Sequence, residues 1–442
     1  MHPLFDNITK RLTEAWRSDE PSGRGHSYRC TCGRPVFFRN SLCLGCKTPL
    51  GYAPDLAKVR ALQPGKEANT WQLAGEKESP SVWRRCANFD SPAGCNWLVP
   101  MTDAEKLCLS CRLNHTIPNL DDEDNRRWWR VIENAKRRLV AQLLGLGLPL
   151  QSKVSEDKER GVMFDFLRSP KDGPRVMTSH ANGLITLNVE EADDAVREKT
   201  RHEMREPYRT LLGHFRHEIG HYYWDRLVAD TPWHEKFRAL FGDERQDYAA
   251  ALKRNYEQGP PADWAQRHIS TYASVHPWED WAECWAHYLH VVDSLDTALG
   301  FGLRGEDVEA AVEPFTVQDL YDSEASDAQR VILLVNSWVQ LTTVLNELAR
   351  SMGQPDFYPF VMNRAVLRKL HFIQMVVKAT REEAGVEPRS NFDGRVLWLG
   401  GTKVLRRSIR TEARVTGTGR SSRNTSSTWL TRPRRNCKPK RT

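Results

Sequence analysis

The segment His214-Phe215-Arg216-His217-Glu218-Ile219-Gly220-His221 restricts this chain more than any other, because its spacing commits it to a helix that holds a metal ion. His217 and His221 are four apart, so at 3.6 residues per turn both imidazoles leave the same helix face and can grip one ion. Glu218 stands beside them, placed to take a proton from a water that the ion has acidified, which is the general-base role. The plainer alternative, a solvated amphipathic helix with coincidental histidines, leaves the acidic residues further along the chain unexplained. His214, one turn earlier, could approach substrate but reads rather as a packed or surface histidine, while Asp225, four after His221, either supports a ligand or solvates the helix.

Two imidazoles leave zinc short of ligands, since a water-activating ion takes a third protein group and keeps one position open. The segment from Tyr272 through His276, Pro277, Trp278, Glu279, Trp281, Glu283 and Trp285 to His287 is the best donor. If a helix starts near Pro277, then Trp278, Trp281, Ala282, Trp285 and Leu289 form its buried stripe, and Glu279 and Glu283 sit four apart on another face. Glu279 is assigned as the third zinc ligand. Glu283 is assigned as the acceptor of a ligand histidine's free ring N–H, which fixes that ring's orientation. The competing assignments exchange the two carboxylates or leave both as surface acids. Tyr272, seven residues before Glu279, falls near the turn preceding the helix, where its hydroxyl can stabilise an oxyanion; its bland reading is a core tyrosine. His287 and His290 lie turns further on and are left out of the site.

Eight of the ten cysteines fall in two clusters before residue 112, the pattern of metal ligands in a reducing compartment rather than of disulfides. Cys30, Cys32, Cys43 and Cys46 make the first unit, and Cys86, Cys95, Cys108 and Cys111 the second. Four thiolates satisfy tetrahedral zinc completely, so each reads as a structural site that stabilises a segment too small for its own core. Redox thiols are the competing reading for Cys43 and Cys46. Cys284, among tryptophans, reads as an apolar filler.

The chain has 442 residues, enough for two or three domains, and 40% of them are hydrophobic, which suits an ordinary core. There is no uninterrupted apolar run of about 18 residues and no apolar stretch at the N-terminus, so no membrane association is expected and the expected location is the cytoplasm. Residues 1–25 read as a polar leader, 26–118 as the two cysteine modules, 119–388 as the domain of the His217/His221 helix with further helices behind it, and 389–442 as a basic tail. That tail holds 15 Lys plus Arg against Asp393 and Glu412, a charge of +13, so the remainder carries 7 − 13 = −6. Its Ser/Thr/Gly/Arg-rich composition is that of disorder, and non-specific stickiness is expected of it rather than nucleic-acid recognition.

Helical spacing marks Asn125–Leu148, a metal-binding helix over 207–228 opened by Pro207, and helices over 243–257, parts of 262–293, 328–350 and 362–383. Leu184–Val189 alternates like a half-exposed strand after the turn Asn182-Gly183, and its edge is expected to be free to pair with an extended peptide. The fold class is therefore α+β, mostly helical, with a small sheet, preceded by two small zinc-ribbon or knuckle modules.

The HExxH segment followed by Tyr272, Glu279 and Glu283 resembles the gluzincin metallopeptidases, and its spacing is similar to that of the anthrax lethal factor protease domain. From Cys30 to about Leu303 the chain more closely resembles the bacterial zinc-binding metallopeptidases that carry an N-terminal zinc ribbon. The segments Gly183–Asn188, Glu206–Asp225 and His276–Glu283 carry that resemblance. It implies peptide-bond hydrolysis with His217, His221 and Glu279 on a catalytic zinc, Glu218 as base and Tyr272 facing the reacting carbonyl. Three zinc ions are expected, one catalytic and two structural, with a peptide or protein substrate. Two rivals stand. One is a non-catalytic scaffold whose cysteine modules bind nucleic acid or protein through the small patch of Arg29, Arg34, Phe37, Phe38 and Arg39. The other is a zinc hydrolase of a non-peptide amide or ester.

Overall fold

The computed structural model describes residues 27–385, apart from 76–80, 171, 205, 304–307 and 309–311, and all of them fall in the unit Met1–Trp398. The leader 1–25 and the basic tail 389–442 lie outside the described residues.

Short strands pinned by cysteines open the chain. β1 (Tyr28–Arg29) pairs antiparallel with β2 (Pro35–Val36). A five-stranded antiparallel sheet follows in chain order: β3 (Leu50–Ala53), β4 (Lys58–Pro64), β5 (Thr70–Leu73), β6 (Trp83–Arg85) and β7 (Leu98–Pro100). β3 to β6 fill the interval between the two cysteine clusters and β7 lies within the second, between Cys95 and Cys108; the sheet was not legible in the sequence. β3 is buried along its whole length, which erases the alternation that marks a half-exposed strand.

β8 (Asn114–Thr116), beginning three residues after Cys111, belongs to a second sheet. It pairs in parallel with β9 (Met163–Leu167), which pairs in parallel with β11 (Leu184–Asn188). β10 (Ser179–Ala181) closes the order β10-β11-β9-β8 by pairing antiparallel with β11. The expectation that the Ile185–Val189 strand presents a free edge is therefore corrected. Asn182 and Gly183 both take positive φ (47° and 76°), the hairpin turn that folds β10 back over β11, so among the described residues β10, not β11, is the outermost strand on that side.

Among the described residues the helices are α1 (Glu123–Gly145), α2 (Asp194–Glu203), α3 (Leu211–Tyr223), α4 (His234–Phe241), α5 (Tyr248–Gln258), the short α6 (Trp264–Arg267), α7 (Pro277–Gly300), α8 (Ala328–Ser351) and α9 (Arg364–Glu383). α3 starts at Leu211 rather than Pro207, because the Thr210 side chain accepts the Gly213 N–H at 3.0 Å and caps the helix there. It runs on into a π-helical turn, Trp224–Val228. α8 is long and apolar enough, by length and composition, to cross a membrane, and it also packs Val331, Val335 and Trp338 into the fold's interior.

α3 and α7 meet closely. A Cβ on Gly220 would stand 3.1 Å from both Ala282 Cα and Trp285 Cβ, so a larger residue would push the two helices apart by a few tenths of an ångström. The indole of the buried Trp281 donates to Gly220 O at 2.9 Å across the same contact. On the far side of α3, Arg216 Nη2 lies 2.7 Å from Asp293 Oδ2, and the same guanidinium donates to Gln142 Oε1 at 2.8 Å. Arg138 Nη2 lies 2.9 Å from the other Asp293 oxygen. Asp293 thus ties α1, α3 and α7 together out of water. Asp293→Ala leaves the buried Arg216 without its carboxylate, and a loss of about 3–5 kcal/mol of stability is expected. Urea unfolding reads it; an unchanged midpoint would deny the pair any structural weight.

Candidate metal centre

His217 and His221 project from α3 and Glu279 from the first turn of α7, and the Gly220 contact brings the three together. His221 Nε2 lies 3.2 Å from His217 Nε2, and Glu279 Oε2 lies 3.0 Å from His217 Nε2 and 3.6 Å from His221 Nε2. Ligand atoms at roughly 2.0–2.1 Å from tetrahedral zinc stand roughly 3.3–3.4 Å from one another, so the triangle has the size of one zinc face. Glu279 Oε2 is buried without a hydrogen-bond partner, an arrangement that a cation would satisfy.

Glu283 stands behind the triangle. The His217 Nδ1–H donates to Glu283 Oε1 at 2.8 Å, and the Ser270 hydroxyl donates to Glu283 Oε2 at 2.6 Å. This hydrogen bond directs His217 Nε2 at Glu279. Burial pushes the His217 imidazole down, but Glu279 and Glu283 carry it well above its ordinary value. Burial likewise opposes ionisation of Glu279, yet His221 and His217 hold its carboxyl well below the usual carboxylate range. The cluster favours positive charge at its centre. Glu218 is buried beside it, and burial raises its carboxyl against the pull of His217 and His221.

Tyr272 opens a short 3-10 turn before α7, its ring 5.9 Å from that of His217, and burial keeps its phenol protonated. His214 is not part of the triangle; it lies 4.0 Å from Glu191 Oε2, and burial pushes it down to about 3. His287 and His290 turn away, to Tyr358 Oη and Arg216 Nη1, each at 2.7 Å.

Three neighbours escaped sequence reasoning. Tyr248 donates its hydroxyl to Glu279 Oε1 at 2.8 Å, Trp278 lays its ring 3.9 Å from that of His221, and His180 on β10 stacks 6.2 Å from His221. Trp278 was placed in the buried stripe of α7; it is partly exposed and lies against the His221 ring instead. Tyr248 and His180 arrive from separate elements with no periodicity linking them to the helix, so no sequence signal pointed to them.

The cysteines converge as two separate tetrads. Sulfurs on zinc at about 2.3 Å are roughly 3.8 Å apart. The observed separations are 3.5 Å for Cys30–Cys46, 3.8 Å for Cys32–Cys43 and 3.7 Å for Cys95–Cys108. The first tetrad exposes Cys32 and Cys46, whereas the second is wholly buried. Cys111 Sγ lies 3.9 Å from Glu133 Oε2 of α1, and the Lys136 ammonium is 2.7 Å from Glu133 Oε1. Burial lowers the Arg137 guanidinium, but the charges of Cys95 and Glu133 hold it above its ordinary value. Cys284 is buried and apart from both tetrads.

The family described as "Putative zinc-binding metallo-peptidase" matches residues 125–376, and a zinc-ribbon domain family matches residues 27–122. Uncharacterized proteins of Mycobacterium tuberculosis and Mycobacterium bovis are each 41% identical over 347 residues, covering 78% of this chain and 93% of theirs. No solved structure matches the chain at a significant level. With more than half its length in the match and its cysteines gathered as zinc tetrads, the chain belongs to this zinc-binding metallopeptidase family and carries the zinc ribbon ahead of the peptidase domain.

Proposed function

We propose that this protein hydrolyses peptide bonds, with His217, His221 and Glu279 holding a catalytic zinc and the two cysteine tetrads holding structural ones. The observation that carries the reading is the triangle of Nε2, Nε2 and Oε2 atoms at 3.0–3.6 Å, with the buried Glu279 Oε2 facing the two imidazoles. When bound, zinc supplies a Lewis acid that brings a water's pKa towards neutrality. Glu218 takes the proton of the attacking water and returns it to the leaving amine, serving first as base and then as acid. The protonated Tyr272 hydroxyl donates to the oxygen on which negative charge develops. Glu283 holds His217 in one tautomer throughout.

An extended substrate would add to the sheet at β10, which among the described residues pairs on one side only, with β11. Thiols gathered on metal rather than in disulfides fit a reducing compartment such as the cytoplasm. A scaffold without catalysis would have no use for a buried carboxylate beside an incomplete ligand set, and this favours the enzyme.

Zinc counting tests the proposal. The intact protein is expected to hold three zinc ions and Glu279→Ala two, with both tetrads still filled and cleavage of a peptide library abolished. Three ions retained by the variant would remove Glu279 from the ligand set. A panel of esters and non-peptide amides run alongside separates peptidase from other hydrolase chemistry.

A further inference from the structure

We propose that Tyr248 is a positioning residue of this centre: its phenol holds the Glu279 carboxylate so that only one oxygen faces His217 and His221. The inference rests on the reading of those three residues as the ligand set. The two oxygens of Glu279 have different surroundings. Oε2 closes the triangle with the imidazoles, while Oε1 accepts the Tyr248 hydroxyl at 2.8 Å. A carboxylate free to turn could grip a cation through both oxygens and occupy the position that a water must take. With Oε1 engaged by a phenol, Glu279 is restricted to Oε2.

The fold delivers this hydroxyl deliberately. α5 is an outlying helix in which Ala251 is the one buried residue, and Tyr248, its first residue, is 36% exposed. What anchors the start of α5 is His276. Its Nε2–H donates to Gln246 O at 3.2 Å, and its Nδ1 accepts the Trp278 N–H at 3.2 Å, capping α7 one turn from Glu279. The Tyr248 ring packs edge-on against His276 at 5.4 Å and Trp278 at 6.3 Å.

Tyr248→Phe keeps the ring and removes only the hydroxyl. The full-length chain, with both cysteine tetrads loaded, is titrated with zinc against a chromophoric chelator. The variant is expected to bind the third zinc about 10–100-fold more weakly than the wild type. kcat on a peptide should fall while KM stays within about threefold, since the phenol does not hold substrate. Before the third zinc is added, the unfolding midpoints of variant and wild type should coincide; a lower midpoint in the variant would reduce Tyr248 to a packing role and overturn the proposal. So would third-site affinity within about twofold of wild type, because a ligand-orienting partner is worth more than that. A wild type that takes up no third zinc, or a Glu279→Ala variant that still does, fails the ligand reading itself and this inference with it. Three ions in the wild type with unchanged affinity in Tyr248→Phe sinks Tyr248 alone.

Discussion

Glutamine in place of Glu218 is expected to leave all three zinc ions bound and to lower kcat for peptide cleavage by about 10²–10⁴-fold, the contribution of a positioned general base. Glu218 lies near enough to His217 and His221 to feel their charge, yet it is not one of the three groups whose donor atoms converge. Glutamine has the same length and branching, so it removes the capacity to accept a proton and little else. Metal analysis and steady-state kinetics on one preparation separate the outcomes. Undiminished cleavage takes the base role from Glu218, and loss of the third zinc makes it part of the ligand set.

Cys111→Ser is expected to have the largest effect on folding, although Cys111 is far from the cleft in sequence. Structural zinc binds with an apparent free energy of about 10–16 kcal/mol. A folded domain is stable by only about 5–15 kcal/mol. In the second tetrad that energy is not confined to a ribbon, because Cys111 touches Glu133 on α1 and Arg137 of the same helix donates to Ala93 O, two residues before Cys95. The variant should lose one zinc and unfold cooperatively at a much lower temperature, the peptidase helices melting with the ribbon. Circular dichroism at 222 nm, where helix dominates, follows it. A melt that keeps the helices at the wild-type midpoint would show that the tetrad stabilises only its own loops. The first tetrad, by contrast, is half open to solvent at Cys32 and Cys46.

How much of this was legible in the sequence depended on the range of the interaction concerned. Helical spacing put His217 and His221 on one face and Glu279 and Glu283 on another, since i and i+4 residues share a face whatever surrounds them. The aromatic stripe of Trp281 and Trp285 announced the buried side of α7 for the same reason. Pro207 misled because a first-turn proline is only compatible with a helix start, whereas the Thr210 side chain makes one. The edge strand was missed because Ser179–Ala181 is too short to show a period, and the hairpin turn at Asn182-Gly183 was read as leading into one strand rather than joining two. Tyr248 reaches Glu279 across a sequence separation of 31 and through the capping of α7 by His276, and long-range closure of that kind leaves no local pattern.

β8 runs directly on from the second tetrad and forms the outer margin of the sheet on which the peptidase domain is built. The ribbon is consequently no interchangeable cassette. A shortened chain starting at α1 would bare the flank of β9, a sticky template for neighbouring molecules. Any lineage that discarded the cysteines would have had to invent another hem for that sheet.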